Sequence, residues 1–325
     1  MTSSKQHPIG SGYDAHSTAE DVVGGSDLTG KTAIITGGHS HLGLETARVL
    51  TGAGARVVIP ARDPRRAQDA LSVVPGATIE QMDLMDPQSI DAFSQRFIAS
   101  GEKLDILVNS AGIMATPLAR DAQGNESQFS TNHLGHFRLT CRLWPALRRA
   151  DGARVVSLSS RGHQISDIDF GDINFDRRAY DKWVSYGQSK TANILFALAL
   201  DGFGEAHGIR AFSVHPGSVL GPLARHLTEE EIDTFGARGA DGRPNIDPDR
   251  DMKTPQQGAA TSVWCATSGR LDGLGGVYCE NSDVAPMLTE GAVGKPGVAA
   301  WAVDPSSADR LWTVSRQLTG VDLAY

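Results

Sequence analysis

The sequence is poor in cysteine, carries no excess of positive charge and contains no long apolar run. Its three cysteines, Cys141, Cys265 and Cys279, are odd in number, scattered and without the spacing of a metal site. Reduced structural thiols of a cytoplasmic protein are the expected reading. A net charge of -8 argues against a surface for nucleic acid or for an anionic membrane. The strongest apolar run, residues 192–200, falls far short of the roughly 20 residues that cross a bilayer. Residues 1–8 hold no apolar signal-peptide core, so no membrane partner is expected. No Pro/Ser-rich linker, charge block or internal repeat divides the 325 residues.

What remains is an alternation of strand and helix patterns. Residues 31–36 form a short buried-strand pattern, 37–43 a glycine-rich turn, and 42–54 a helical period through Leu44, Ala47, Leu50 and Ala53. A second strand covers 56–60, and further strands are expected at 78–81, 104–108, 154–158, 210–214 and 276–279. Helices are expected at 128–149, 182–200, 254–267 and 305–317. This order predicts an α/β fold with one doubly wound parallel sheet in a single domain spanning 29–325. Residues 1–28 read as a polar, glycine-rich extension before it, draped over the fold or not. The long irregular stretch 218–251, with an acidic patch at Glu229, Glu230 and Glu231, predicts a substrate lid.

Tyr186 and Lys190 lie one helical turn apart, so a phenol and an ammonium share one face. The lysine charge then favours the phenolate and brings a tyrosine of ordinary pKa about 10 closer to neutral pH. Alone, Tyr-x-x-x-Lys also describes the surface of many helices. The strand, glycine loop and helix upstream shift the balance. Such a loop lets backbone amides approach a pyrophosphate, with the helix N-terminus stabilising its charge.

Six motifs in order carry a resemblance. They are Thr36-Gly37-Gly38-His39-Ser40-His41-Leu42-Gly43, Asn109-Ser110-Ala111-Gly112, Asn132 in Asn132-His133-Leu134-Gly135, Ser159-Ser160 after a strand, Tyr186 with Lys190, and His215-Pro216-Gly217. Together they resemble the short-chain dehydrogenase/reductase family. The long separation of Ser160 from Tyr186, filled by residues 167–175, is similar to the retinol-dehydrogenase-like subgroup. The resemblance implies a Rossmann-type fold, a nicotinamide cofactor, a small-molecule substrate and hydride transfer between the cofactor and a carbonyl or secondary alcohol. It also implies a homodimer or homotetramer through helices 128–149 and 182–200, as is frequent among members.

By the same resemblance Tyr186 is the acid/base and Lys190 lowers its pKa and holds the nicotinamide ribose. Ser160, with Ser159 as its competitor, bonds the substrate oxygen. Asn132 holds a water toward solvent, or serves only a local backbone bond. Gly37, Ser40, His41, Leu42 and Gly43 line the pyrophosphate loop. Asp83 and Leu84 flank the adenine, Asn109, Ala111 and Gly112 its ribose, and Pro216, Gly217 and Val219 complete the cofactor site.

Ala61 stands where an acid would bond the ribose 2′-hydroxyl, and Arg62 follows it, which favours NADP(H) over NAD. His41 departs from the family by replacing the loop's second glycine, so it is either a bystander or a ligand of a cofactor phosphate. His39, Ser40 and His41 have no carboxylate or cysteine cluster near them in sequence, and no metal is expected. His163 reads as pocket or surface, and Trp183 as a residue near Tyr186. A bulky, apolar substrate follows from the insertion and the lid. Two other functions stay open on the same fold, reduction of a carbon–carbon double bond and non-catalytic sensing of NADP(H).

Overall fold

A computed structural model describes residues 5–239 and 241–324. In chain order it contains α1 (Ala19–Val23), β1 (Thr32–Ile35), α2 (His41–Gly52), β2 (Arg56–Ala61), α3 (Pro64–Ala67), β3 (Thr78–Gln81), α4 (Pro87–Ala99) and β4 (Ile106–Asn109). There follow α5 (Ser127–Phe129), a π turn (Ser130–Leu134), α6 (Gly135–Arg149), β5 (Arg154–Leu158), α7 (Lys182–Gly204) and β6 (Arg210–His215). The chain ends with α8 (Glu229–Thr234), α9 (Pro255–Thr267), β7 (Val277–Glu280), β8 (Asp283–Val284) and α10 (Pro305–Thr319).

The strands form one sheet in the order β3-β2-β1-β4-β5-β6-β7-β8, parallel except for β8. This is the expected doubly wound α/β sheet, with a short antiparallel edge added. Its inner strands are buried almost along their length because helices cover both faces. Alternation sorts them. Ile34, Leu107, Val155 and Ala211 enter the core beneath α4, α6, α7 and α10. Ile35, Val108, Val156 and Phe212 enter the one beneath α1, α2 and α9. The chain reverses its direction of winding between β1 and β4. That switch point, beyond the carboxyl ends of the strands, is where such sheets hold ligands.

The N-terminal stretch is built into the fold. A Thr18–Asp21 capping box starts α1, whose Ala19 and Val22 are buried against the same core as α2 and α9. Gln6 donates to the carbonyls of Tyr278 (2.9 Å) and Ala285 (2.7 Å) and accepts from the Tyr278 amide (2.9 Å). The 218–251 stretch leaves after β6 and closes on itself at its base. There the Ser218 amide donates to the Asp251 carbonyl (2.8 Å) and the Lys253 amide to the Ser218 carbonyl (3.0 Å). Among the described residues no helix is long and apolar enough to cross a membrane.

Candidate active site

Ser160 follows β5 in extended backbone and opens a helical turn, its hydroxyl accepting from the Gly162 amide at 3.0 Å. The same hydroxyl engages the phenol of Tyr186. Ser159 is turned away and donates to the Lys190 carbonyl at 2.8 Å. Of the paired serines, Ser160 therefore faces the phenol. Gly162 makes room for it, since a Cβ there would lie 2.8 Å from the Tyr186 ring.

The Lys190 ammonium donates to the Leu158 carbonyl at 3.1 Å and sits 5.5 Å from the centre of the Tyr186 ring. Burial pulls its pKa down to about 8. Burial also pushes Tyr186 up to about 12, against the pull of its bond to Ser160. The expected lowering of the phenol by Lys190 is therefore absent. Desolvation outweighs a charge whose head is turned to a carbonyl.

Asn132 lies in the π turn, a helical irregularity frequent at functional sites. Its amide accepts from the Ile113 amide (2.8 Å) and donates to the Ile113 carbonyl (2.9 Å) and the Ser189 hydroxyl (2.9 Å). The side chain thus pins the loop after β4 to α7. Its backbone carbonyl accepts from His136 Nδ1 at 3.0 Å. The His136 pKa is lowered to about 4 by burial, so the ring is neutral and takes the Thr36 hydroxyl on Nε2 at 2.9 Å. Thr36 in turn accepts from the Ser110 and Ala111 amides. Reading the sequence missed His136. The only signal was its place one turn after Asn132.

The glycine loop runs from β1 into α2. Gly37 has φ +68°, and a Cβ on Gly43 would stand 2.4 Å from the Gly37 carbonyl oxygen. Ser40 is extended and does not cap α2, which leaves the first amides of that helix open. Leu42 and Val219 pack together on Gly258 of α9. Arg62 is exposed beyond β2. Asp83 accepts from the Met85 amide (2.9 Å), and the Leu84 backbone lies against Gly135. Asn109 ends β4 with a buried Oδ1 that has no hydrogen-bond partner. Ala111 abuts Gly37, and Gly112 lies between Asn132 and Lys190. Pro216 and Gly217, the latter at φ +88°, follow β6. This glycine cradle, the open helix N-terminus and the orphaned Asn109 oxygen fit a dinucleotide phosphate and ribose.

His163 is neither pocket wall nor surface. It is buried, donates from Nδ1 to the Ser160 carbonyl (2.7 Å) and accepts on Nε2 from the Ala299 amide (3.1 Å). Arg161 and His215 both bond Asp251, at 3.0 and 2.9 Å, tying the serine turn and the end of β6 to the base of the 218–251 stretch. Burial raises the Asp251 carboxyl, but its bonds to His215 and Arg161 outweigh that and hold it at about 2. Trp183 meets Tyr186 edge-on at 6.4 Å and Phe235 at 5.4 Å, and its indole donates to Glu231 of α8 at 3.3 Å. Lys182 pairs with the same carboxylate at 2.6 Å. Among the described residues no group of three or more His, Cys, Asp or Glu could hold a metal ion.

Comparison with known proteins gives the same grouping. Residues 31–232 match the family model described as short chain dehydrogenase. A Streptomyces lividans protein named "Probable oxidoreductase" is 44% identical over 292 residues, covering 88% of this chain and 96% of its own. Mouse retinol dehydrogenase 12 is 37% identical, covering 90% of this chain and 88% of its own. The crystal structure of an uncharacterized Mycobacterium paratuberculosis protein aligns with a TM-score of 0.71 at 31% identity, covering 94% of this chain and 98% of that one. The chain belongs to the short-chain dehydrogenase/reductase family of oxidoreductases, within its retinol-dehydrogenase-like subgroup.

Proposed function

We propose that this oxidoreductase is an NADP(H)-dependent alcohol dehydrogenase or carbonyl reductase acting on a bulky, apolar substrate. The observation that carries the reading is the contact of Ser160 with the Tyr186 phenol, with the Lys190 ammonium one turn further along α7. The bound nicotinamide supplies or accepts the hydride. Tyr186 is the acid/base at the substrate oxygen. With its pKa near 12 it is a neutral phenol at pH 7, ready to give its proton as a carbonyl becomes an alcohol. Ser160 donates to that oxygen as negative charge develops. Lys190, charged below about pH 8, offsets the phenolate left behind and holds the nicotinamide ribose. Asn132 keeps the loop after β4 and helix α7 in register around Lys190.

Arg62, exposed beyond β2 with Ala61 before it, suits a ribose 2′-phosphate, since a guanidinium bonds phosphate in bidentate fashion. The 218–251 stretch acts as a lid over the substrate, held through Glu231 on Lys182 and Trp183. The ring of Trp183 beside Tyr186, with Phe235 packed on Trp183 in turn, favours an apolar substrate.

The test is NADPH oxidation across ketones and aldehydes of graded size, with wild-type protein and Tyr186→Phe. Turnover that rises with apolar bulk and falls by about a hundredfold or more in Tyr186→Phe supports the reading. Tight NADPH binding with no turnover on any carbonyl would make the protein a cofactor sensor. Turnover only on conjugated double bonds would move the chemistry to carbon–carbon reduction.

A further inference from the structure

His41 is the one residue of the glycine loop that breaks the family pattern, and its backbone keeps the shape of the glycine it replaces. Its φ is +51°, in the left-handed region that glycine enters without strain and a histidine does not. An outlier retained at a binding loop points to a task for its side chain. The ring leaves the loop and lies against the 218–251 stretch. It engages the Val219 backbone, and it fills the space where a side chain on residue 221 would begin. A Cβ on Gly221 would stand 2.4 Å from both Cε1 and Nε2 of the imidazole. Gly221 itself has φ -175° and ψ -163°, extended backbone that any residue adopts. Nothing in its own conformation calls for glycine, so the His41 ring is what does. The two positions form a reciprocal pair, a histidine where the loop expects glycine and a glycine opposite to receive it.

We infer that His41 is a positioning residue that staples the cofactor loop to the first turn of the substrate lid, with Gly221 as its socket. The inference rests on the proposed lid and cofactor assignments for its consequence in catalysis, but its geometry stands without them. Parting the staple loosens the stretch that begins at Ser218 and leads to α8, whose other anchors include Glu231 on Lys182 and Asp251 on Arg161 and His215. The cofactor loop and the substrate lid then move independently.

The pair is tested by a double-mutant cycle read by limited trypsin cleavage at the exposed Arg225, in protein without cofactor. His41→Gly, and His41→Asn, which tolerates the left-handed backbone but does not reach the socket, should each speed cleavage by about fivefold or more. Gly221→Ala should do the same in the wild-type background, by driving a methyl into the ring. In the His41→Gly background Gly221→Ala should add no more than about twofold. Thermal melts of each variant establish that cleavage reports the lid and not global unfolding. Unchanged cleavage in both His41 variants overturns the staple. So does a Gly221→Ala effect of equal size in the two backgrounds. If His41→Gly instead weakens NADPH binding about tenfold while cleavage is unchanged, the ring is a cofactor ligand and the staple is refuted. Because cleavage is read without cofactor or substrate, it stands or falls separately from the assigned reaction.

Discussion

Lys190 is a charge in the wrong solvent, and replacing it should stabilise the fold while ending its chemistry. The side chain is 5% exposed, and its ammonium has one hydrogen bond, to the Leu158 carbonyl. Its pKa falls from 10.5 to about 8. At about 1.4 kcal/mol for each pKa unit, that displacement is worth about 3 kcal/mol of instability when the lysine is charged. The sign follows from proton binding. Between pH 8 and 10.5 the unfolded chain holds the proton and the folded chain does not, so this group's contribution makes stability rise with pH. The penalty is full below about pH 8 and gone above 10.5. Lys190→Met keeps the aliphatic bulk and removes the charge. The Leu158 carbonyl keeps a partner, because Asn193 donates to it at 2.8 Å. Urea unfolding at pH 7 should show the variant more stable by about 2–3 kcal/mol, and the gain should shrink toward zero by about pH 10.5. Carbonyl reduction should be lost at every pH. A variant less stable than wild type at pH 7, or a gain that does not depend on pH, refutes the reasoning.

Arg62→Ala should weaken NADPH by roughly ten- to a hundredfold while leaving NADH within a few-fold, because only NADPH has a 2′-phosphate to lose. Equal losses in a fluorescence titration would remove the cofactor assignment. Gly43→Ala should abolish tight cofactor binding with the circular dichroism unchanged, since its methyl would lie 2.4 Å from the Gly37 carbonyl oxygen and force the loop open. Binding within twofold of wild type would show that the loop yields more easily than its geometry implies. Gly275→Ala should act on stability alone. A Cβ there would fall 1.9 Å from Asp201 Oδ1, inside the buried Arg210–Asp201 pair, and breaking such a pair costs about 3–5 kcal/mol. An unchanged unfolding midpoint would mean that the pair shifts to accommodate the methyl.

What could be read from the chain was whatever one segment decides by itself. The strands of the sheet are short apolar runs, and the glycine loop, Tyr186 with Lys190 and Ser160 are contiguous motifs. Their order along the chain places them at the carboxyl ends of the strands. The extension was harder, because part of what holds it is not apolar. Gln6 is held by backbone atoms 272 residues away, and no local pattern marks a glutamine as a strand partner. The π turn was also hidden. One extra residue in a helical turn leaves the apolar rhythm of residues 127–149 nearly intact, yet it changes which carbonyl is left for His136.

The Tyr186 and Lys190 pair is the instructive case. Sequence spacing establishes that the two side chains share a helical face. It says nothing of where the ammonium finds its hydrogen bond, or how much water burial removes from the phenol. Burial strips water from both groups, and in opposite directions for the two. The neutral phenol and the weakened ammonium are both pushed toward the uncharged state, and each uncharged form is the one that the dry interior tolerates. In the proposed reaction a proton leaving Tyr186 for substrate therefore creates charge that the fold resists. The compensation has to come from the Lys190 ammonium, which the same burial has made less stable. That coupling makes the proposed proton donation by Tyr186 depend on Lys190 keeping its charge, and so on a pH below about 8.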